Sequence, residues 1–262
     1  MNLAISNIAW SETFNDQIYT YLKNTGFKGL EIAPTLIFPQ APYNDLKAAR
    51  HWSELLQEKY QLIVPSMQSI WYGRTERIFG SEEERATLLD YTQQAIDFAS
   101  AIHCRNLVFG CPKNRVLTTP ADYTLGIDFF RKLAEYAESH GTVIGLEANP
   151  AIYGTNYINT TQEALKLLQE VDRPGLKLNL DVGTMVANEE SVTLLTGNVQ
   201  HISHVHISEP YLKPIDKRQL HKELAELLHS EGYTGFVSVE MGNVEDLTVL
   251  YEIMTYVREI FG

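Results

Sequence analysis

The feature that most constrains the fold is an eightfold alternation of short apolar segments with longer stretches of helical periodicity. Strands that alternate with helices build a parallel sheet with helical crossovers. Eight such units in 262 residues favour a closed barrel over an open sheet. The predicted strands are Leu3–Ile5, Gly29–Ile32, Leu62–Met67, Leu107–Phe109, Val143–Glu147, Leu176–Asp181, Ile202–Ile207 and Phe236–Glu240. We therefore expect one α/β domain over residues 1–262, a single (β/α)8 TIM barrel.

The stretches between these segments carry helix signals of their own. One apolar face at helical spacing is made by Leu88, Thr92, Ala95, Ile96, Ala99 and Ile102. Thr160 and Glu163 form a capping-box pattern, which predicts a helix start. Thr119 before Pro120 predicts another start, and the His140–Gly141 pair predicts a helix end.

The direction of side chains along the strands gives a second signal. In the segment LKLNLD, the three leucines point one way, while Lys177, Asn179 and Asp181 point the other. Helices cover the outside of such a barrel, so neither strand face meets bulk water. We expect the leucines to face the helices and the polar side chains to face the interior. The same alternation directs Glu147, His206 and Glu240 inward.

Four ionisable residues thus lie at or near the ends of four consecutive strands: Glu147, Asp181, His206 and Glu240. Taken singly, each acid could be a solvated loop residue, and the histidine a packed interior one. The chemistry of these barrels lies at the carboxyl ends of the strands. Three carboxylates that converge there need a compensating charge. Three oxygen donors and one imidazole predict one divalent metal ion, Mn²⁺ first, with Zn²⁺, Mg²⁺ and Co²⁺ as alternatives.

The sequence around these four residues resembles that of a known group. GLEAN at Glu147, NLDVG at Asp181, HVHIS at His206 and VSVE at Glu240 look like the sugar phosphate isomerase/epimerase superfamily of xylose isomerase-like barrels. The order and spacing of these short motifs cover nearly the whole chain. The resemblance implies that the four positions bind one metal. In the ketose epimerases of that group, the first and last glutamates also move protons, which implies catalytic roles for Glu147 and Glu240.

The function expected from this resemblance is a metal-dependent isomerase or epimerase of a small sugar, sugar phosphate or keto-polyol. One glutamate would remove a proton next to a carbonyl, and the metal would stabilise the enediolate. Loss of a hydroxyl from the same enediolate would instead make the protein a dehydratase. A barrel that binds a sugar without turnover is the third alternative.

One position departs from the family pattern. Many members carry a histidine three residues after the aspartate of the sixth strand, where this chain has Thr184. The sugar contact that this histidine makes is therefore in doubt. Relatives that resemble endonuclease IV need further histidines for three zinc ions, and the segments MQSIWYGR and FGCPKNR contain none. DNA repair is accordingly disfavoured.

Further side chains near the strand ends are candidates for contact with the substrate. We expect Asn149 to orient Glu147, and Glu209 to reach a substrate hydroxyl. Cations in the loops could clamp a phosphate or carboxylate, and an aromatic ring could line a sugar site. Solvated loop charges and core packing are equally consistent with these residues. The full set of substrate-binding candidates is Glu209, Asn149, Arg74, Lys113, Arg115, Trp71 and Glu31.

The formal net charge of −12 excludes non-specific nucleic-acid binding and docking on anionic membranes as primary functions. Two cysteines are too few for a disulfide framework, and the segment MNLAISNIAW lacks the basic start of a signal peptide. We expect a cytoplasmic protein whose partner is a small carbohydrate. The sequence leaves open whether it forms a homo-oligomer.

Overall fold

Eight parallel strands form the centre of the computed structural model, which describes residues 1–262. They lie in the order β2-β1-β8-β7-β6-β5-β4-β3, with every adjacent pair parallel. The strands are β1 (Asn2–Ser6), β2 (Gly29–Glu31), β3 (Ser66–Met67), β4 (Asn106–Phe109), β5 (Val143–Leu146), β6 (Leu176–Asp181), β7 (Ile202–Ile207) and β8 (Phe236–Val239). The predicted (β/α)8 barrel is thereby confirmed.

Nine α-helices follow the strands and pack on the outside of the barrel. They are α1 (Asn15–Thr25), α2 (Pro34–Ile37), α3 (Leu46–Tyr60), α4 (Glu82–Ala101), α5 (Tyr123–Ser139), α6 (Thr161–Val171), α7 (Val182–Ala187), α8 (Gln219–Ser230) and α9 (Leu247–Phe261). Their apolar faces join the outward side chains of the strands in one core of 67 buried residues. None of these helices combines the length and the apolar character needed to cross a membrane.

The barrel closes between β2 and β3 through two isolated bridges. Gly29 pairs with Ile63, and Ile32 pairs with Met67. The prediction of a continuous third strand over Leu62–Met67 was wrong, because the ladder resumes only at Ser66. Pro65 lies inside the predicted segment and has no N–H to donate to a ladder.

The side chains of β6 alternate as the sequence predicts. Leu178 and Leu180 are buried in the core, on the side of the helices. Asn179 points inward, where its amide accepts a hydrogen bond from Asn106 Nδ2 at 3.4 Å. Asn106 also accepts from Ser203 Oγ at 2.7 Å, so polar side chains fill this interior layer. The layer forms the floor beneath the inward residues at the strand ends.

The helix boundaries follow local capping chemistry. The capping box of α6 is present, because Glu163 N donates to Thr160 Oγ1 at 3.1 Å and Thr160 N donates to Glu163 Oε2 at 3.2 Å. The helix expected at Pro120 begins later: residues 120–122 form a 3₁₀ turn, and α5 starts at Tyr123. His140 follows the last residue of α5, as predicted.

Candidate metal centre

At the carboxyl end of the barrel, the ends of four strands bring four side chains close together: Glu147, Asp181, His206 and Glu240. One donor atom of each residue lies within 4.8 Å of a donor atom of every other. Strand register produces this convergence, since Asp181 pairs directly with His206 across β6 and β7. Glu147 and Glu240 each follow the last residue of their strands. The structure therefore brings together all four residues that the sequence proposes as ligands.

His206 lies at the centre of this cluster and is fully buried. Its Nδ1 atom is 3.2 Å from Glu147 Oε2 and 3.2 Å from Glu240 Oε2. Burial lowers the pKa of the imidazole, but the nearby carboxylates of Glu240 and Glu31 outweigh it and hold the pKa well above its usual range. The cluster thus favours a positive charge at this point.

Glu147 is held by two side-chain amides. Asn149 Nδ2 donates to its Oε1 atom at 2.9 Å, and Asn179 Nδ2 donates to its Oε2 atom at 3.0 Å. Arg115 lies behind this pair, where its Nη2 atom donates to Asn149 Oδ1 and to the Glu147 carbonyl, both at 2.7 Å. Burial lowers the pKa of this guanidinium to about 10. These contacts fix the carboxylate of Glu147 in one orientation.

Asp181 is held by the start of α7. Thr184 N donates to its Oδ2 atom at 2.8 Å, which caps the helix. Ser208 Oγ donates to the other carboxylate oxygen. Burial and the charge of Glu147 raise the pKa of the Asp181 carboxyl, which shows how strongly this site resists a further negative charge.

Glu240 has fewer partners than the other carboxylates of the cluster. Its side chain is 12% exposed, and its polar neighbour is His206 Nδ1. The backbone N–H of Glu240 donates to the carbonyl of Ile207 at 2.9 Å, which fixes the main chain but leaves the carboxylate free. Burial raises the pKa of this carboxyl above its usual value.

The donor set fits a divalent cation. Three carboxylates and one imidazole offer the mixture of oxygen and nitrogen ligands that Mn²⁺ and neighbouring divalent metals accept. Burial raises the pKa of two of the carboxyls, Asp181 and Glu240, because it disfavours their charged forms. A bound dication would supply the missing charge.

A cavity of about 400 Å³ opens above the cluster. Its walls include the carboxylates of Glu147, Asp181, Glu209 and Glu240, and no lysine, arginine or histidine lines it. Glu209 forms a bidentate ion pair with Arg218, whose Nε and Nη2 atoms donate to its two carboxylate oxygens at 2.6 Å each. The charge of Glu209 is thus compensated, and Glu147, Asp181 and Glu240 are the acidic residues of the wall that no lysine or arginine pairs with.

Two of the predicted substrate-binding residues, Asn149 and Glu209, line this cavity. Glu31 does not: it is fully buried below His206, whose Nε2 atom lies 3.0 Å from Glu31 Oε1. His204 joins it there, with its Nε2 atom 2.6 Å from Glu31 Oε2. The structure thus places the strand-two glutamate beneath the centre rather than beside the cavity.

The other candidates for substrate contact lie away from the cavity wall. Arg74 pairs with Glu76, and its guanidinium lies 4.8 Å from the ring centre of Tyr91. Trp71 is buried in the core and donates its indole N–H to Thr92 at 2.8 Å. Lys113 is exposed to solvent in the turn over residues 112–114. These side chains have partners or solvent elsewhere, which accounts for their absence from the cavity.

Arg115 also fails to reach the cavity, although its loop follows β4. Its side chain is fully buried, and its contacts with Glu147 and Asn149 hold the loop after β5. Because this side chain is fully buried and does not line the cavity, it is not available to a phosphate or carboxylate bound there. The sequence could place Arg115 at the correct end of the barrel but could not give its depth.

Thr184 takes the position where relatives often carry histidine. Its hydroxyl lies 2.8 Å from Asp181 Oδ2 and 2.8 Å from the carbonyl of Ala148. A hydroxyl has one proton, so it donates to one of these acceptors at a time. Thr184 is buried and does not line the cavity, and it acts on Asp181 instead.

Several cavity residues were missed by sequence reasoning. They are Gln68, Ser69, Cys111, Tyr153, Ser208 and Tyr211. All follow the ends of β3, β4, β5 or β7, and this position was the available signal. None of them is an acid or a histidine, and Cys111 is not part of a Cys-x-x-Cys spacing, so no pattern of residue type marked them.

Backbone strain is concentrated around the cavity. Ten non-glycine residues have positive φ, and four of them line it: Ser69, Cys111, Tyr211 and Leu212. Left-handed backbone costs a non-glycine residue roughly 1–2 kcal/mol. Residues held in such conformations cluster at active sites and ligand clamps. The strain and the carboxylate cluster thus mark the same end of the barrel.

Comparison with known proteins agrees with this architecture. The sequence profile of the xylose isomerase-like TIM barrel family matches residues 19–259. This chain belongs to that family. The match covers almost the whole chain and includes all four residues of the centre.

Solved structures of similar shape include two sugar epimerases. A 3-keto-D-glucoside 4-epimerase from E. coli is 21% identical, with a TM-score of 0.79 over 99% of each chain. A D-psicose 3-epimerase from Clostridium cellulolyticum H10, solved with D-tagatose, is 16% identical, with a TM-score of 0.81 over 100% of this chain and 99% of that one. At these identities, the likeness establishes a shared fold.

An AP endonuclease of family 2 from Brucella melitensis also shares the fold, at 22% identity and a TM-score of 0.73 over 98% of this chain and 99% of that one. By sequence, an uncharacterised protein of Methanocaldococcus jannaschii is 30% identical over 138 residues. That match covers 49% of this chain and 47% of the relative, so it spans about half the length of each protein.

Proposed function

We propose that this chain is a divalent-metal-dependent isomerase or epimerase of an uncharged sugar or keto-polyol. The observation that carries the proposal is the placement of Glu147 and Glu240 on different strands, each 3.2 Å from the same nitrogen of His206. Two carboxylates that converge on one point at the floor of a cavity can remove a proton and return one.

Glu147, Asp181, His206 and Glu240 would hold the ion, and Mn²⁺ suits their oxygen-rich donor set best. The bound ion supplies Lewis acidity, which stabilises the negative charge that develops on the substrate oxygens as a proton leaves. Asp181 and His206 serve as ligands. Glu147 and Glu240 are both ligands and the groups that exchange protons with the substrate.

The two glutamates would act in sequence on a carbon next to a carbonyl. One carboxylate takes the proton from one face of the substrate. Return of a proton by the other glutamate, from the opposite face, inverts that carbon and gives an epimer. Return to the neighbouring carbon gives an isomer. Asn149 and Asn179 keep Glu147 in position throughout.

The charge of the cavity favours a substrate without phosphate. Four acidic residues and no basic residue line it, so its walls offer no cationic side chain to bind a phosphate. The predicted cations Arg74, Lys113 and Arg115 do not line the cavity. The epimerases of similar shape are named for 3-keto-D-glucoside and D-psicose, which carry no phosphate.

The same charge argues against a nucleic-acid substrate, although one structure of similar shape is an AP endonuclease. A protein that binds DNA neutralises backbone phosphates with lysine and arginine. Here the net charge is −12, and the walls of the cavity are acidic. A neutral polyol that binds through its hydroxyl groups fits these walls better.

The proposal can be tested by metal analysis of the purified chain, followed by incubation with a sugar panel in D₂O. The panel includes D-psicose, D-tagatose, D-fructose and a 3-keto-D-glucoside. We expect one divalent ion per chain and deuterium at a carbon next to the carbonyl, read by NMR. Loss of water from a substrate would identify a dehydratase instead. Bound metal without exchange in any sugar would contradict catalysis of this kind.

A further inference from the structure

Glu31 occupies an unusual place beneath the proposed centre. It ends β2, its side chain is fully buried, and no lysine or arginine pairs with it. A buried carboxylate needs hydrogen-bond donors or opposite charge to offset the loss of water. An apolar side chain would fill this space without that cost in free energy. The groups that contact Glu31 should therefore explain why a carboxylate is present.

The neighbours of Glu31 are two imidazoles of β7. His206 Nε2 lies 3.0 Å from Glu31 Oε1 and 3.1 Å from Oε2, almost equidistant from both oxygens. His204 Nε2 lies 2.6 Å from Oε2, and the two rings stand perpendicular with their centres 5.3 Å apart. Oε2 of the carboxylate is thus placed to accept from His206 Nε2–H, and His204 Nε2 lies beside the same oxygen.

The two nitrogens of His206 therefore face different surroundings. Nε2 points down to Glu31, while Nδ1 points up, 3.2 Å from Glu147 and from Glu240. A neutral imidazole carries one N–H and one lone pair. When Nε2–H donates to Glu31, the lone pair lies on Nδ1, on the side of the other donor atoms. Histidines that bind metals are commonly oriented in this way by a carboxylate.

We propose that Glu31 is a positioning residue for the metal centre, which fixes the tautomer and the ring orientation of His206 from below. The inference rests on the proposed metal site but not on the identity of the sugar. His204 packs against Glu31 Oε2 from the side. The role predicted for Glu31 in substrate contact is replaced by this one, since Glu31 does not line the cavity.

The test uses titration calorimetry to compare Mn²⁺ binding by the wild-type chain with binding by the Glu31→Gln variant. The amide keeps the shape of the side chain but offers a single acceptor oxygen, and its NH₂ group faces imidazole donors. We expect the dissociation constant for Mn²⁺ to rise about 10- to 100-fold, the usual effect of removing such a partner. Glu190→Gln is the matched control, since Glu190 accepts from Thr161 N away from the centre, and its Mn²⁺ affinity should be unchanged.

A spectroscopic readout separates positioning from general stability. In protein loaded with diamagnetic Zn²⁺, the Nε2 proton of His206 should give a slowly exchanging, downfield NMR signal. Glu31→Gln should shift that signal upfield or remove it by faster exchange with water. If Glu31→Gln does not fold, Glu31→Asp draws the carboxylate back by one methylene, and we expect weaker Mn²⁺ binding with the same change in the signal.

Wild-type affinity in a folded Glu31→Gln variant would overturn the positioning role. Loss of a second bound ion in Glu31→Gln, with the first retained, would instead make Glu31, His204 and His206 ligands of their own site, and would also overturn it. Failure of the wild-type chain to bind any divalent ion would remove both this inference and the proposed centre. Weaker Mn²⁺ binding in a chain that exchanges no sugar would uphold Glu31 and reject the proposed reaction.

Discussion

The two glutamates of the centre have the same distance to His206 but different surroundings. Glu147 receives hydrogen bonds from Asn149 and Asn179, one on each oxygen. Glu240 has His206 as its polar partner, and burial raises its pKa. Burial disfavours the charged form of a carboxyl group. The carboxylate of Glu147 is therefore held on both oxygens, whereas that of Glu240 has one polar partner and a pKa raised by burial.

The largest effect should come from removing either carboxylate. Glu147→Gln and Glu240→Gln should each lower kcat by roughly 10²–10⁴-fold, the contribution of one general acid or base. Both should still bind Mn²⁺. In D₂O, each variant should retain exchange with only one epimer of the substrate, and the two variants with opposite epimers. Near-normal turnover in both would reject proton transfer by these residues.

The same pair of variants should differ in stability. A glutamine at position 147 must turn its NH₂ group toward Asn149 or Asn179, which leaves one amide donor without an acceptor. An unsatisfied buried donor costs about 1–3 kcal/mol. In EDTA, we expect Glu147→Gln to be less stable than Glu240→Gln by about that amount, measured by urea unfolding. Equal unfolding curves would show that the two amides do not hold Glu147.

A smaller effect is expected from the amides themselves. Asn149→Ala and Asn179→Ala should each reduce kcat about tenfold, or about 1.4 kcal/mol, with KM little changed, because Glu147 loses its orientation. Asn188→Ala removes a comparable amide contact, Nδ2 to the Asn159 carbonyl at 2.9 Å, away from the cavity. That control should leave kcat unaltered. A rise in KM alone in the Asn149 variant would mean direct contact with the substrate.

The smallest effect concerns pH. Burial raises the pKa of the Glu240 carboxyl, so this group binds a proton more tightly in the folded protein than in the unfolded chain. Its stabilising contribution is therefore present below the unfolded pKa of about 4.3 and is lost as pH rises through the higher folded pKa. Without metal, the unfolding free energies of wild type and Glu240→Gln should diverge as pH rises through this range, and the variant should become the more stable of the two relative to their values at low pH. If the two free energies of unfolding changed with pH in parallel, Glu240 would not be the group with the raised pKa.

The sequence predicted the centre better than its surroundings, and the reason is geometric. Strand parity determines which way Asp181 and His206 point, and parallel register then brings them together. Loops have no such periodicity, so the depth of Arg115 and the direction of Arg74 could not be read from spacing. Asn179 was predicted to point inward, but its hydrogen bond to Glu147 depends on how closely β5 and β6 approach.

Glu31 shows a similar limit. Its position at the end of a strand predicted the correct end of the barrel. From that position, the side chain of Glu31 could point either into the cavity or into the barrel interior. The deciding contact is with His206, five strands away in sequence order and far along the chain. Contacts across the barrel depend on its diameter and tilt, which no local pattern encodes.

The two isolated bridges that close the barrel have a consequence for local opening. Glu31 lies between Leu30 and Ile32, whose amides donate to the Ile63 and Ser66 carbonyls at 2.9 and 3.2 Å. Pro65 contributes no amide to this seam between β2 and β3. The backbone amides of the seam should therefore exchange hydrogen for deuterium sooner than those of the long ladder between β6 and β7. Since Glu31 also contacts His206, an ion bound on the far side of that imidazole should slow exchange at Ile32. Hydrogen exchange at the seam would then report occupancy of a centre that the seam contacts through Glu31.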